Sequence, residues 1–226
     1  YHDVNKLLKI TSPDLVEFHM SFNDLDESPE DFLDKSYNCG FLVHAPELFE
    51  NDHLLDLCTP DDDYRKKSVM YMQKLINVTK DLKKYFPLTI KPLIIVNCGG
   101  FSKDSFIRDN LKNKYYENLI ESISELNLDG VEFLPQTMAP YPWHFGGQRY
   151  QNLFMNIDEI IDFNKKTGIR VCHDISHSFL TCNKFNWDHL EYSRSIAPFT
   201  AHYHISDGRG VDGEGLQIGE GDINFK

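Results

Sequence analysis

Short runs of apolar and β-branched residues recur along the chain, and most are separated by longer stretches whose apolar positions repeat every third or fourth residue. The runs predict strands over Leu15–Met20, Gly40–His44, Pro92–Asn97, Gly130–Leu134, Ile169–Asp174 and Thr200–Ile205. The stretches between them predict helices over Asp62–Phe86, Lys103–Asn127, Tyr150–Lys166 and Phe185–Ile196, with Pro87 and Gly168 stopping two of them. Alternating strands and helices without hairpin signals imply an α/β fold of parallel βαβ units with right-handed crossovers. A doubly wound open sheet and a TIM barrel both accept this rhythm. An open sheet would carry a glycine-rich phosphate turn after its first strand, and none follows Met20 or His44. Instead, polar or ionisable residues mark the strand ends: Glu17 and His19, His44, Asn97, Glu132, Asp174 and His204. A barrel gathers those ends on one face, where barrel enzymes keep their chemistry. A TIM-barrel domain over residues 1–226 is therefore expected.

Charge narrows the partners. The net charge of −12 repels phosphate backbones and argues against nucleic acid. The Arg65-Lys66-Lys67 triplet is expected on a solvated helix face. Five cysteines without CxxC spacing suggest neither disulfides nor a zinc ribbon, and a reducing cytoplasm is the expected setting. No apolar run is long enough to span a bilayer, so no membrane partner is expected. The chain begins at Tyr1 rather than Met, which suggests a piece of a longer protein.

Several of the polar strand ends carry candidate chemistry. Glu132 lies between Val131 and Phe133, so alternation sends it to the opposite face from its apolar neighbours. Buried there, its carboxylate needs a cation or an Arg or Lys partner, and sequence leaves both open. In CHDISHS, Asp174 ends a strand and His177 follows three residues later, a spacing that lets both face one cavity; Asp174 could equally cap a following turn. His202 and His204 share a face, with His204 the better ligand candidate. Two carboxylates and an imidazole, Glu132, Asp174 and His204, suit one divalent ion of the Mn, Co, Mg or Zn type. His44 could orient substrate or cap its strand. Arg209, in a glycine-rich loop, could clamp an anion or hydroxyl or simply lie on the surface. Trp143, in APYPWH, could stack on a sugar ring or pack its own loop.

HAP at His44, GVEF around Glu132, the Asp174/His177 pair, HxHxSD from His202 to Asp207 and IGEGDINF together resemble the xylose isomerase-like TIM barrel superfamily. The similarity runs from about Leu15 to Phe225. It implies a metal-dependent sugar or sugar-phosphate isomerase or epimerase, with Glu132, Asp174 and His204 as metal ligands and Glu132 also removing the substrate proton. His177 and Arg209 fall near substrate-binding positions. By the same resemblance a fourth ligand is expected beyond Lys226, and the six strands correspond to the second through seventh of eight. The first and last are thus expected to be missing, so that another segment, a second subunit or a fused domain completes the wall. The opening YHDVNKLLKI also resembles a segment fused behind sialic-acid-synthase-like domains, which implies sialic-acid-type sugar metabolism. A non-catalytic sugar-binding or regulatory domain is the alternative. An endonuclease IV-like phosphodiesterase fits less well, because its metal cluster wants a histidine where Asn97 stands and an Asp-x-His where Asp212-Gly-Glu214 stands.

Overall fold

The computed structural model describes residues 4–144 and 146–225. Its wall is built from six parallel strands: β1 (Leu15–His19), β2 (Gly40–His44), β3 (Leu93–Val96), β4 (Glu132–Pro135), β5 (Val171–Asp174) and β6 (Thr200–His204). Ladders join β1 to β2, β2 to β3 and β3 to β4; a bridge from Gln136 to Cys172 carries the wall to β5, which pairs with β6. Among the described residues no ladder joins β6 back to β1. The helices are α1 (Val4–Thr11), α2 (Asp62–Leu82), α3 (Asp109–Ser124), α4 (Ile157–Thr167), α5 (Ile175–Phe185) and α6 (His189–Ile196). Parallel strands need crossovers, and α2, α3, α4 and the α5–α6 pair supply them between β2 and β6. The β1–β2 connection has two short 3₁₀ turns instead.

Strand alternation divides the core. Val43, Ile94, Val96, Phe133 and Val171 face outward and join one cluster with Met72 and Leu75 of α2, Leu119 of α3 and Ile160 of α4. Their neighbours Leu42, Ile95, Leu134 and Cys172 point the other way and form a small separate cluster inside the wall. This is the period-two signature of a sheet buried on both faces.

The six expected strands lie where the apolar runs put them, but three helices start later than their periodicity suggested, at Asp109, Ile157 and His189. Tyr150–Gln151 is not helical; it pairs antiparallel with Phe101–Ser102, and α4 starts only after Asn156, whose side chain accepts the N–H groups of Asp158 and Glu159. It ends at Gly168, whose φ of +72° lets its N–H reach back to the carbonyl of Asn164. Helix α5 escaped the periodicity because its buried face mixes Ser176, Ser178 and Thr181 with Leu180. Hairpins also exist, as short ribbons such as Trp143–His144 with Gly147–Gln148 and Asp207–Arg209 with Gly213–Leu216. Arg65 departs from the expected solvated face: it is buried, bonded to Ser122 and ringed by Asp62, Glu121 and Glu125. No described helix is long and apolar enough to cross a membrane.

Candidate functional site

Two residues beyond each inner apolar side chain, the same alternation delivers a polar one. Leu42 is followed by His44, Ile95 by Asn97, Leu134 by Gln136 and Cys172 by Asp174; Glu17 is followed by His19 and His202 by His204. These residues surround a cavity of about 340 Å³ lined by His19, His44, Glu47, Asn97, Gln136, Asp174, His177 and His204. The site is an upper polar layer resting on a lower apolar one.

Gln136 ties the layer together. Its Nε2 donates to Asp174 Oδ2 at 2.9 Å and lies 3.1 Å from His204 Nδ1, while its Oε1 is 2.9 Å from His44 Nε2. Asp174 also caps α5, Oδ1 accepting the N–H of His177 at 2.9 Å, so the capping and cavity-facing readings of this residue both hold. That cap turns His177 over the strand end, where Nδ1 sits 2.9 Å from the Thr137 carbonyl and Nε2 3.3 Å from Glu214. Glu214 arrives on the glycine-rich loop, which Asp207 anchors by accepting the N–H groups of Gly208, Gly219, Gly221 and Ile223.

Opposite charges govern the ionisation of the layer. Burial would raise the Asp174 carboxyl, but His177 and His204 outweigh it and hold it down at about 2. Burial likewise opposes a charged His177, yet Asp174 and Glu214 push it up to about 9 from the ordinary 6.5. Glu17 meets the same contest: His19, His202 and His204 overcome burial and keep it well below the usual carboxylate range. His44, more buried, is lowered instead. Because the folded-state value of His177 is raised, its protonation stabilises the fold fully below pH 6.5, and that contribution is lost as pH rises through about 9. An NMR titration of the histidine ring protons should therefore give His177 a midpoint near 9. Asp174→Asn should bring it back toward 6.5; an unchanged midpoint would show that Asp174 is not the cause.

Of the residues expected from sequence, the structure brings His44, Asp174, His177 and His204 to this cavity. It does not bring Glu132. The β3–β4 register pairs Leu93 with Glu132 and Val96 with Pro135, which makes Glu132 the first residue of its strand. It shares the inward parity of Gln136 but lies four residues below it, about 13 Å at the rise of an extended strand. Its carboxylate takes two 2.9 Å hydrogen bonds from Arg170, Nε to Oε1 and Nη2 to Oε2, the ion-paired alternative. Arg209 is turned outward to the Glu220 carbonyl and Asp222, and Trp143 is 64% exposed on its ribbon; neither lines the cavity. The sequence reading missed Gln136, Glu47 and Glu214. Gln136 was in reach by counting two residues on from Leu134, had the strand been extended past it.

The expected metal set therefore does not assemble. At Asp174 and His204 the third neighbour is a neutral amide that presents its nitrogen, not its oxygen, to the carboxylate. A divalent ion wants anionic or neutral acceptors there. A different set of donors, from Glu17, His202 and His204, does lie within 4.8 Å of one another.

Curated relatives include proteins described as probable endonuclease 4 from Natronomonas pharaonis, 26% identical over 220 residues, and from Haloquadratum walsbyi, 25% identical over 210 residues. Each match covers 88% of this chain and 68% of the relative. Among solved structures, a D-tagatose 3-epimerase-like protein superposes with a TM-score of 0.67 at 22% identity, covering 96% of this chain and 77% of that one. A xylose isomerase domain protein from Planctomyces limnophilus gives 0.63 at 13%, covering 97% and 77%. At these identities the superpositions speak for the fold alone, and they agree with the parallel wall. Residues 14–226 match the sequence pattern of one family over nearly the whole chain, and the chain belongs to that family, the xylose isomerase-like TIM barrels.

Proposed function

We propose that the cavity at the strand ends binds a sugar or sugar phosphate and moves a proton on the carbon beside its carbonyl, as an isomerase or epimerase. One observation carries the reading: His44, Gln136, Asp174, His177 and His204, from successive barrel elements, converge on a cavity of about 340 Å³. That volume suits a small polar molecule. Protonated His177, its Nδ1–H held by the Thr137 carbonyl and its charge favoured by Asp174, donates Nε2–H to a substrate carbonyl oxygen in place of Glu214 as negative charge develops there. Glu47, whose carboxyl burial would raise but His144 and Asn97 hold below the ordinary value, is a cavity-lining carboxylate able to accept a proton. Glu132 has no part in this chemistry, and no step is routed through a metal at Asp174. Solved structures titled L-ribulose 3-epimerase and D-tagatose 3-epimerase-like protein, which share the fold, support the substrate class.

Two other readings each have an observation behind them. The neutral Gln136 at the centre of the layer cannot take up a proton, which favours a domain that binds a sugar without turning it over. The relatives named probable endonuclease 4 favour cleavage of a nucleic-acid phosphodiester, against which stands the net charge of −12. One set of assays separates the three. Solvent deuterium should enter a ketose or amino sugar from a panel, Glu132→Gln should leave the rate within twofold, and Asp174→Asn should lower it at least tenfold. Sugar binding without exchange supports the binding domain, and incision of an abasic duplex without sugar exchange supports the nuclease.

A further inference from the structure

His144 is the inward half of a dipeptide whose other half faces solvent. The Trp143–His144 and Gly147–Gln148 ribbon turns Trp143 out, 64% exposed, and alternation sends His144 in, its side chain 4% exposed and its ring centroid 4.8 Å from that of Phe101. There its Nδ1 lies 3.3 Å from Glu47 Oε2, while Asn97 Nδ2 donates to Glu47 Oε1. Two side chains thus address the two oxygens of one carboxylate. We propose that His144 is the positioning residue of Glu47: with a proton on each ring nitrogen it holds Glu47 on one side and, on the other, one buried water molecule fixed by Asn97 and Gln151. In catalysis this role rests on Glu47 being the proton acceptor of the sugar chemistry proposed above.

The protons can be counted. Asn97 Oδ1, Gln151 Oε1 and both ring nitrogens of His144 are buried without a hydrogen-bond partner among the described residues, and the three side chains line one small pocket of about 10 Å³. The 3.3 Å approach of Nδ1 to Glu47 is an ion-pair contact rather than an aligned hydrogen bond. A pocket of this size holds about one water molecule, which needs about two to four polar partners. Neither amide is free to turn over: Asn97 Nδ2 is committed to Glu47, and Gln151 Nε2 to the carbonyls of Gly99 and Leu153 at 2.9 and 3.1 Å. Both leftover oxygens are therefore acceptors. A water between them directs both its hydrogens at those oxygens and presents a lone pair to His144, which must then donate Nε2–H. Glu47 asks the same of Nδ1. A ring that donates from both nitrogens is an imidazolium, and its charge fits the ionisation of Glu47, whose carboxyl burial would raise but His144 and Asn97 hold below the ordinary value. Two further ionisable groups face this set: His44 acts on Glu47, and His144 acts on Asp56, whose carboxyl burial pushes up to about 6 against the N–H groups of Gly100 and Cys58.

Nitrogen-detected NMR of the unaltered full chain, without sugar, reads the ring directly and needs neither a variant nor turnover. Both nitrogens of His144 should resonate as protonated at neutral pH. A crystal structure should place one water within about 3.2 Å of Asn97 Oδ1, Gln151 Oε1 and His144 Nε2. Followed by carboxyl-carbon NMR, the Glu47 midpoint should move up toward the ordinary carboxylate value in His144→Leu, and His144→Asn, which keeps a donor only at the Nδ1 position, should fall between the two. In the solvent-deuterium assay His144→Leu should lower kcat about tenfold or more with KM held within about twofold. A neutral His144 ring, a pocket without water, a Glu47 midpoint unmoved by His144→Leu, or equal behaviour of the leucine and asparagine variants would overturn the role. A doubly protonated ring in a chain that exchanges no deuterium with any sugar would instead sink the sugar chemistry and leave the pairing of His144 with Glu47 standing.

Discussion

Gln136→Leu should lower the free energy of unfolding by about 3–5 kcal/mol, although it places an apolar residue at a position only 3% exposed. The substitution fills the space and removes the partners. His44 Nε2 and Asp174 Oδ2 lose hydrogen bonds of 2.9 Å, and His204 Nδ1 loses its neighbour at 3.1 Å. Each buried polar group left unmatched costs about 1–3 kcal/mol, more where it is charged. Asp174, held ionised by the histidines around it, is the costliest of the three. Gln136→Glu addresses the same point with the opposite chemistry, setting a second carboxylate against Asp174 Oδ2 and forcing one of the pair to hold a proton near neutral pH. Urea unfolding of the leucine variant decides the first case. A loss below about 1 kcal/mol would mean that water reaches the layer and that Gln136 does not organise it.

Phe86→Ala should destabilise by a similar amount, about 3–5 kcal/mol, for an entirely apolar reason. Phe86 is fully buried just past α2, with ring centroids 5.6 Å from Phe18, 4.9 Å from Phe41 and 5.2 Å from Tyr37. It fastens the end of α2 to β1 and β2, the two strands that carry Glu17, His19 and His44. Truncation leaves a void walled by three rings that cannot all collapse into it, so the cavity cost adds to the transfer cost. The nearby Ile90, 86% exposed, supplies the contrast: Ile90→Ala should change stability by no more than about 0.5 kcal/mol. Equal midpoints for the two alanine variants in urea would refute the packing assigned to Phe86.

Much of this architecture was legible in the sequence because it follows from local pattern. The apolar runs announced all six strands, and the position of His44, Asp174 and His204 at strand ends announced a polar rim. His177 was legible too, since a residue three places after a capping aspartate must turn over the strand end. Helix α5 was hidden, because serine and threonine occupy its buried positions and the 3.6-residue pattern lapses there. Arg209 and Trp143 were left with two readings each for a related reason: their loops carry no periodicity, so nothing in the chain fixes which way the side chains turn.

Glu132 shows where the boundary falls. Alternation along the chain determines which face of the sheet a side chain occupies, and it placed Glu132 and Gln136 on the same inner face. Height along the barrel axis is not a property of one strand. It depends on the register each strand adopts against its neighbours, and the pairing of Leu93 with Glu132 puts that carboxylate at the floor, against Arg170, and Gln136 at the rim. The meeting of Glu17 with His204, 187 residues apart, depends in the same way on how the whole wall curves. Sequence alone determined the strands, their faces and the polar character of one end; the tertiary structure decided which polar residues share a level, because parallel register and sheet curvature are set by contacts between distant segments.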